Sequence, residues 1–386
     1  MNVLSVIAGV AVVLLVLLDA FESVVLPRRV RRSFRVSSWY YRRSWRNWSF
    51  VARHIQAPSR REAMLGYFGP LSLLILLGLW AVGLILGFAL IQYGAGDHIT
   101  LNNQPVTFGL LLYHSGETFY TLGYGDVVPS SPLSRTLSVF EAGMGFAFLG
   151  VVIGYLPTIY AAFSIREIEI SLFDARAGSP PTAYELLSRY GKNANQQVLD
   201  QMLRGWEQWS ARLLESHLSY PPLAFFRSQH NNQSWLGALT VMLDTSSLII
   251  AGIDGVALDQ ARLTFAMARH AVVDLAQVAN AKFDPDAPDR LPEEEMALMR
   301  RKLQERGLQL HDGEEAETKL ESLRVMYEPY AQAIAQTLLI TLPPWIRVDK
   351  TRDNWLAGPW DRLIQAKGLG ESAHVKHVAQ PVEDHF

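Results

Sequence analysis

The run from Phe108 to Tyr120 is apolar but spans only 13 residues, about 20 Å of helix, short of the roughly 30 Å of a bilayer's hydrocarbon core. On either side lie runs long enough to cross, Gly69 to Tyr93 and Leu133 to Phe163. A short helix in that position has to turn back, and non-helical backbone at membrane depth is tolerated only where protein or a wet cavity covers it. The short run is followed by Thr121-Leu122-Gly123-Tyr124-Gly125-Asp126. Glycines flanking a tyrosine let the backbone take conformations a side chain forbids, so that successive carbonyls can point the same way. Taken alone, Gly123-Tyr124-Gly125-Asp126 is equally an ordinary Gly-rich turn.

The surroundings decide between the two. Val3 to Leu18 is an apolar run that continues past Asp19 and Glu22 to Leu26 and is long enough to span. It lacks the basic lead and small-residue cleavage site of a signal peptide, and it carries no arginine ladder of a voltage sensor. Asp19 and Glu22 are expected near its inner end, facing water, headgroups or the arginines that follow. From Pro27 to Glu62 there are eleven arginines and one acid, interleaved with Trp39, Tyr40, Tyr41, Trp45, Trp48 and Phe50. Short basic segments beside membrane helices stay cytoplasmic, and Trp and Tyr favour the headgroup layer. The segment is therefore expected to be partly helical and to lie on an inner leaflet rich in anionic lipid. The chain then crosses outward over Gly69 to Tyr93, carries a polar outer loop from Gly94 to Thr107, and returns from the short helix through Val127 to Ser134. It comes back inside over Leu133 to Phe163. This places the N-terminus outside and everything from residue 165 in the cytoplasm.

In this setting Thr121 to Asp126 resembles the selectivity filter of potassium channels, T-x-G-Y-G-D, and the likeness extends over residues 69–163 as outer helix, pore helix, filter and inner helix. The resemblance implies that Thr121, Leu122, Gly123 and Tyr124 supply the oxygens that replace the hydration shell of K+. Gly125 and Asp126 would support them. Glu117, nine residues before Asp126, matches a pore-helix glutamate that in some members pairs with the filter aspartate, so a shared proton is expected there. Gly145 stands where the family often has a hinge glycine, although glycines in membrane helices also serve close packing. Pro157 removes a backbone donor and is expected to kink the inner helix. Tyr155 and Ile159, near that kink, are candidates for an apolar constriction that closes the pore. Glu141, an intramembrane acid, is a candidate to tune cations, to brace the filter, or to bond Trp80 or a backbone group. Tyr113 and His114 stand where many members carry tryptophans. A filter built from four loops implies a homotetramer with cyclic symmetry, and the extra N-terminal helix departs from the minimal two-helix plan.

The fold class expected is thus an all-α membrane protein with a tetrameric pore domain and an α-helical cytoplasmic domain. Its parts would be an N-terminal transmembrane helix (1–26), a basic aromatic segment (27–64), a pore domain (65–164) and a cytoplasmic regulatory domain with a loose tail (165–386). Residues 1–164 carry a formal +5 and the remainder −7, for a total of −2. An acidic C-terminal half argues against a nucleic-acid partner. With no cysteine there is no disulfide, thiolate metal site or cysteine nucleophile. No nucleophile-base constellation indicates an enzyme, and no cofactor is implied beyond K+ as the permeant ion.

In the C-terminal half, apolar residues recurring at three and four predict helices over 182–190, 195–218, 234–253, 257–282, 292–306, 314–341 and 354–366. Pro180-Pro181, Pro221-Pro222 and Pro343-Pro344 punctuate them. No G-x-G-x-x-G follows a strand. Trp235 to Val256 is apolar enough for a fourth span, but Asp244, Asp254 and Thr245-Ser246-Ser247 favour a buried helix of a soluble bundle. His270 and Asp274 share a helical face, which as two ligands alone is weak support for a metal. His374, His377 and His385 lie in the polar tail. The function expected is a potassium-selective channel of a bacterial inner membrane, gated from the cytoplasmic side by a ligand or condition the sequence does not name. A poorly selective cation pore, or a non-conducting membrane sensor or scaffold, are the alternatives.

Overall fold

A computed structural model describes residues 2–26, 35–96, 99–100, 106–191, 196–230, 232–253 and 258–347. The predicted helix over 354–366 and the tail histidines lie outside them. The protein is an all-α membrane protein whose described strands are two residues each, Ile99–Thr100 and Val128–Pro129, paired antiparallel across the pore-helix region. It divides into two units: residues Met1–Ile165 with Glu215–Arg227, and residues Arg166–Leu214 with the chain from Ser228 on.

In the first unit, α1 (Val3–Ala20) ends in a π-turn, Phe21–Val25, and is followed by α2 (Val36–Arg53) and the long α3 (Pro58–Ala95). Pro70 does not break α3. Next come α4 (Phe108–Phe119), which Thr107 caps by accepting from the Leu110 amide, and α5 (Pro132–Ala177), whose residues from Arg166 on belong to the second unit. α5 stays helical through Pro157 and beyond the predicted end of the span at Phe163. Among the described residues of the basic segment, 36–53 and 58–64 are helical.

α1 lies tight on α3 because α3 presents a stripe of glycines to it. A Cβ on Gly87 would meet Val13, one on Gly94 would meet Asn2 O and Val6 N, and one on Gly9 would fall 2.5 Å from Gly87 O. Without a hydrophobic drive between helices in lipid, such close backbone approach is what holds them together. Ser5 Oγ, donating to Leu90 O at 3.1 Å, and the Asn2 amide, donating to Gly94 O at 2.7 Å, fix the register.

Asp19 is fully buried rather than facing water or headgroups. It accepts from the Ser37 amide (3.0 Å), Ser37 Oγ (3.0 Å) and Trp80 Nε1 (2.9 Å), so the carboxylate closing α1 caps the start of α2 and anchors it to α3. Beside it, Glu22 pairs with Arg35 at 3.5 Å. Trp80, Leu84, Ile85 and Phe88 of α3 then form a common core with Val13, Val16, Tyr40 and Phe119, bordered by Met144, Phe148 and Val152 of α5.

The second unit contains α6 (Ala183–Gly191), α8 (Trp235–Gly252), α9 (Leu258–Val278), α10 (Glu293–Glu305), α11 (Glu314–Val325) and α12 (Glu328–Leu338), with most of α7 (Gln196–Ser219). The single helix predicted over 314–341 is broken at Met326 and Tyr327, because Pro329 in the first turn of α12 cannot continue α11. Among the described residues, four helices are long and apolar enough to cross a membrane: those beginning at Val3, Pro58, Pro132 and Trp235. The first three leave large apolar residues exposed, such as Leu14, Leu74 and Phe146. α8 instead is 94% buried inside the protein, which is the signature of a core helix. Its Asp244 accepts both guanidinium nitrogens of Arg290 and the Tyr327 hydroxyl (2.6 Å), while Arg290 also reaches Glu328 and Pro343 O. Arg290 and Arg324 both lie over the Trp345 ring. A charge inside a core is sustained by such saturation.

Candidate functional site

α4 delivers its C-terminus, the end that carries partial negative charge, to Thr121. The amides of Tyr120, Thr121 and Leu122 fold back onto Gly116 O, Thr118 O and Glu117 O. The backbone then alternates: Thr121 (φ 55°), Gly123 (φ 65°) and Gly125 (φ 73°) are left-handed, while Leu122 and Tyr124 between them are not. A left-handed residue at every second position allows successive carbonyls to turn to one side. Gly123 and Gly125 adopt that conformation freely, and Thr121 does so at a steric cost. Residues 121–126 are all exposed, with Leu122 at 52% and Tyr124 at 68%.

Behind this strip, Glu117 is buried and accepts from the Gly125 amide at 3.2 Å, and its Oε2 is buried with no partner among the described residues. Asp126 accepts from the Tyr113 hydroxyl at 3.1 Å and from the Val127 amide at 3.0 Å. The expected Glu117–Asp126 pairing is therefore not formed: Glu117 holds the strip by its backbone, and Tyr113, standing where many potassium channels carry a tryptophan, takes the aspartate. His114, its neighbour, is buried on Ser138 of α5 at 3.1 Å.

The inner-helix candidates separate into two faces. Gly145 is in contact with the pore helix, since a Cβ there would lie 1.9 Å from Phe119 O. Gly143, Gly150 and Gly154 have nothing within 4 Å of the corresponding position, and with Ala147 they form an exposed small-residue face. Tyr155 and Ile159 are buried at 6% and 0% exposure, against Leu73, Leu223 and Phe226. They cannot line a constriction from that position. Pro157 is exposed on the opposite side.

Sequence inspection missed what covers Tyr155 and Ile159. The segment Tyr220–Arg227, whose centre is a 3-10 turn over Pro221–Phe225, belongs to the membrane unit. Phe225 stacks on Tyr41 (5.5 Å) and meets Trp45 (5.1 Å) and Phe68 (5.2 Å). Phe226 meets Phe163 (5.7 Å) and Tyr160 (6.2 Å), and Tyr220 meets Tyr155 (5.9 Å). Gly69 makes the room, because a Cβ there would fall 2.7 Å from the Phe226 ring, and Arg227 pairs with Glu62 at 3.8 Å. The only sequence signal was Pro221-Pro222, which marks a turn without naming its dock. No cluster of three or more metal-ligating side chains occurs among the described residues.

Residues 74–161, from α3 through the strip to the middle of α5, match a family model described as ion channel. An uncharacterized membrane protein of Bacillus subtilis, YdjJ, is 23% identical over 193 residues, covering 49% of this chain and 55% of that protein. The inward rectifier potassium channel Kirbac3.1 of Paramagnetospirillum magnetotacticum is 34% identical over 113 residues, covering 28% of this chain and 37% of that protein. The chain thus spans about half and about a third of the length of these relatives. No solved structure matches.

Proposed function

We propose that the protein is a potassium-selective channel of a bacterial plasma membrane, in which four copies surround one pore and Thr121, Leu122, Gly123 and Tyr124 of each copy coordinate the permeant K+. The observation that carries this is the exposed, alternating-hand strip at the C-terminus of α4. An alternation of this kind would turn its carbonyls to a common side, with the C-terminal end of α4 behind them and no cover within one protomer. At membrane depth such backbone requires neighbours or a wet cavity, and symmetry mates supply both. Gly125, Asp126 and Glu117 support the strip from behind. The exposed small-residue face of α5 would line the path, since small side chains leave room for a hydrated ion.

Gating would act at the cytoplasmic end, around Pro157. Tyr155 and Ile159 serve there as the grip of the Tyr220–Arg227 wedge, and Gly145 fixes the inner helix against α4. The wedge is continuous in sequence with the C-terminal unit, so an unidentified cytoplasmic ligand preferring one arrangement of that unit would shift the inner helix through it. The arginines of α2, with Trp39 and Phe50 exposed, suit an anionic inner leaflet. The orientation follows from that basic segment, with the N-terminus outside.

Flux into liposomes containing the purified protein tests the proposal. Potassium uptake without sodium uptake is the expected result, and Gly123→Ala or Gly125→Ala is expected to abolish the preference, because alanine resists the positive φ both positions adopt. Uptake of both ions by the unaltered protein would leave a poorly selective pore, and uptake of neither a membrane sensor or scaffold.

A further inference from the structure

Three helices of the membrane unit meet at a polar cluster whose members are all fully buried: Gln92 of α3, Ser115 of α4 and Glu141 of α5. Gln92 Nε2 donates to Glu141 Oε2 at 3.1 Å, Ser115 Oγ is hydrogen-bonded to Glu141 Oε1, and Ser115 Oγ donates to Ile85 O at 2.8 Å. Three residues earlier on α5, Ser138 holds His114 of α4. Trp80 is occupied by Asp19 and takes no part. Ser115 lies between the two α4 residues, His114 and Glu117, that face α5 and the filter backbone.

A count of protons defines the chemistry. Ser115 has one hydroxyl proton, and both Ile85 O and Glu141 Oε1 demand it if Glu141 is a carboxylate. A proton on Glu141 removes the conflict. Oε1–H then donates to Ser115 Oγ, Ser115 donates to Ile85 O, and Gln92 donates to Oε2, with each donor used once. In a site shut off from water, a conflict of this kind leaves a group unsatisfied at real cost.

We propose that Glu141 is a positioning residue for the filter. As a proton-bearing carboxylic acid it ties the inner helix to the pore and outer helices and so sets where the α4 C-terminus meets Thr121. This deepens the pore assignment and rests on it for its effect on conduction, whereas the proton on Glu141 does not depend on conduction.

The test uses the full-length protein in lipid. Infrared difference spectra between wild type and Glu141→Gln are expected to contain the C=O stretch of a protonated carboxyl, lost in the variant. Glutamine supplies an N–H to Ser115 Oγ in place of the acid proton, and its carbonyl oxygen takes the place of Glu141 Oε2 in accepting from Gln92 Nε2. Glu141→Gln, and the exchange Glu141→Gln with Gln92→Glu, are therefore expected to keep the potassium-over-sodium flux ratio within about threefold of wild type. Glu141→Ala is expected to lower it at least about tenfold, about 1.4 kcal/mol of discrimination. Where Glu141→Ala fails to assemble, Ser115→Ala takes its place with the same expectation. Absence of the protonated-carboxyl band, a normal ratio in the alanine variant, or loss of the ratio in both glutamine variants overturns the proposal. If the wild type conducts nothing, the pore assignment fails and the infrared band still decides the protonation.

Discussion

Gly145→Ala separates two roles that a glycine in a membrane helix can play. A Cβ on Gly145 would sit 1.9 Å from Phe119 O, against a shortest tolerated contact near 3.0 Å. The obstacle is backbone at the end of α4, so no rotamer relieves it. α5 and α4 would have to part by about 1 Å, and forced overpacking of this kind costs about 1–3 kcal/mol. The helix-propensity gain of alanine over glycine, about 1 kcal/mol, offsets only part of that. At Gly143, Gly150 and Gly154 the same methyl meets nothing within 4 Å in the protomer, so only the propensity gain remains. Gly145→Ala should therefore lower resistance to denaturant by up to about 2 kcal/mol, with loss of potassium flux as the filter's support shifts. The other three alanine variants should equal or exceed wild-type stability. Denaturant titration of the purified protein in detergent, followed by tryptophan fluorescence, reads all four. A Gly145→Ala protein as stable as Gly143→Ala, altered only in the fraction of time it conducts, would refute the packing argument and restore the hinge.

Three other perturbations probe different parts of the chain. Phe226→Ala, which removes a ring 4% exposed between Gly69, Tyr160 and Phe163, should cost about 3–5 kcal/mol locally and raise open-channel flux as α5 is released; unchanged flux and unchanged protease resistance of the segment would count against the wedge. Asp19→Ala orphans Trp80 Nε1 and the Ser37 amide, so Trp80 emission should change and trypsin should cut more readily at Arg42 and Arg43, and limited proteolysis beside fluorescence checks both. Asp289 keeps its carboxyl below the ordinary range: partial burial pushes it up, but the Leu291 amide and the Arg324 and Arg290 guanidinium groups outweigh this. A depressed acid adds stability that is present above its unfolded value of 3.8 and lost as pH falls through the lower folded value. Asp289→Asn should then be less stable than wild type at pH 7, and the two should converge as pH falls through the lowered folded value, as denaturant titrations at several pH values would reveal.

The elements of this protein were legible because each is a local property. Span length, the shortness of Phe108–Tyr120 and the glycines of the strip are all readable from neighbours in the chain, and the structure keeps each as a helix or a left-handed backbone position. The burial of α8 was legible too, since Asp244 and three hydroxyl residues mark it as a core helix of a protein interior. The break before α12 is written in Pro329, but the apolar period continues across it and reads as one helix. Polar pairings were another matter. Glu117 sits nine residues before Asp126, so it invited a carboxyl pair, yet the partner is fixed by the turn of the strip, which brings the Gly125 amide to it instead. Asp19 looked like a residue at the water boundary; its burial depends on the return of the chain through α2 and on Trp80, 61 residues away.

The wedge shows the same limit from the apolar side. Leu223, Phe225 and Phe226 follow a proline pair and carry no period that names a helix or strand, so sequence alone gave them no dock. Their dock exists because Gly69 omits a side chain and because α2 offers Tyr41 and Trp45 one turn apart. Each of those features reads locally as something else: a glycine at the start of a span, aromatic residues suited to headgroups. Only their convergence assigns them to the inner helix. For that reason the residues with the strongest claim on gating are not those at the pore-side position expected of a constriction. Under the proposed gating they are Tyr155 and Ile159, on the buried face, where a displacement of the wedge would be passed to α5, because close-packed interiors transmit strain rather than absorb it.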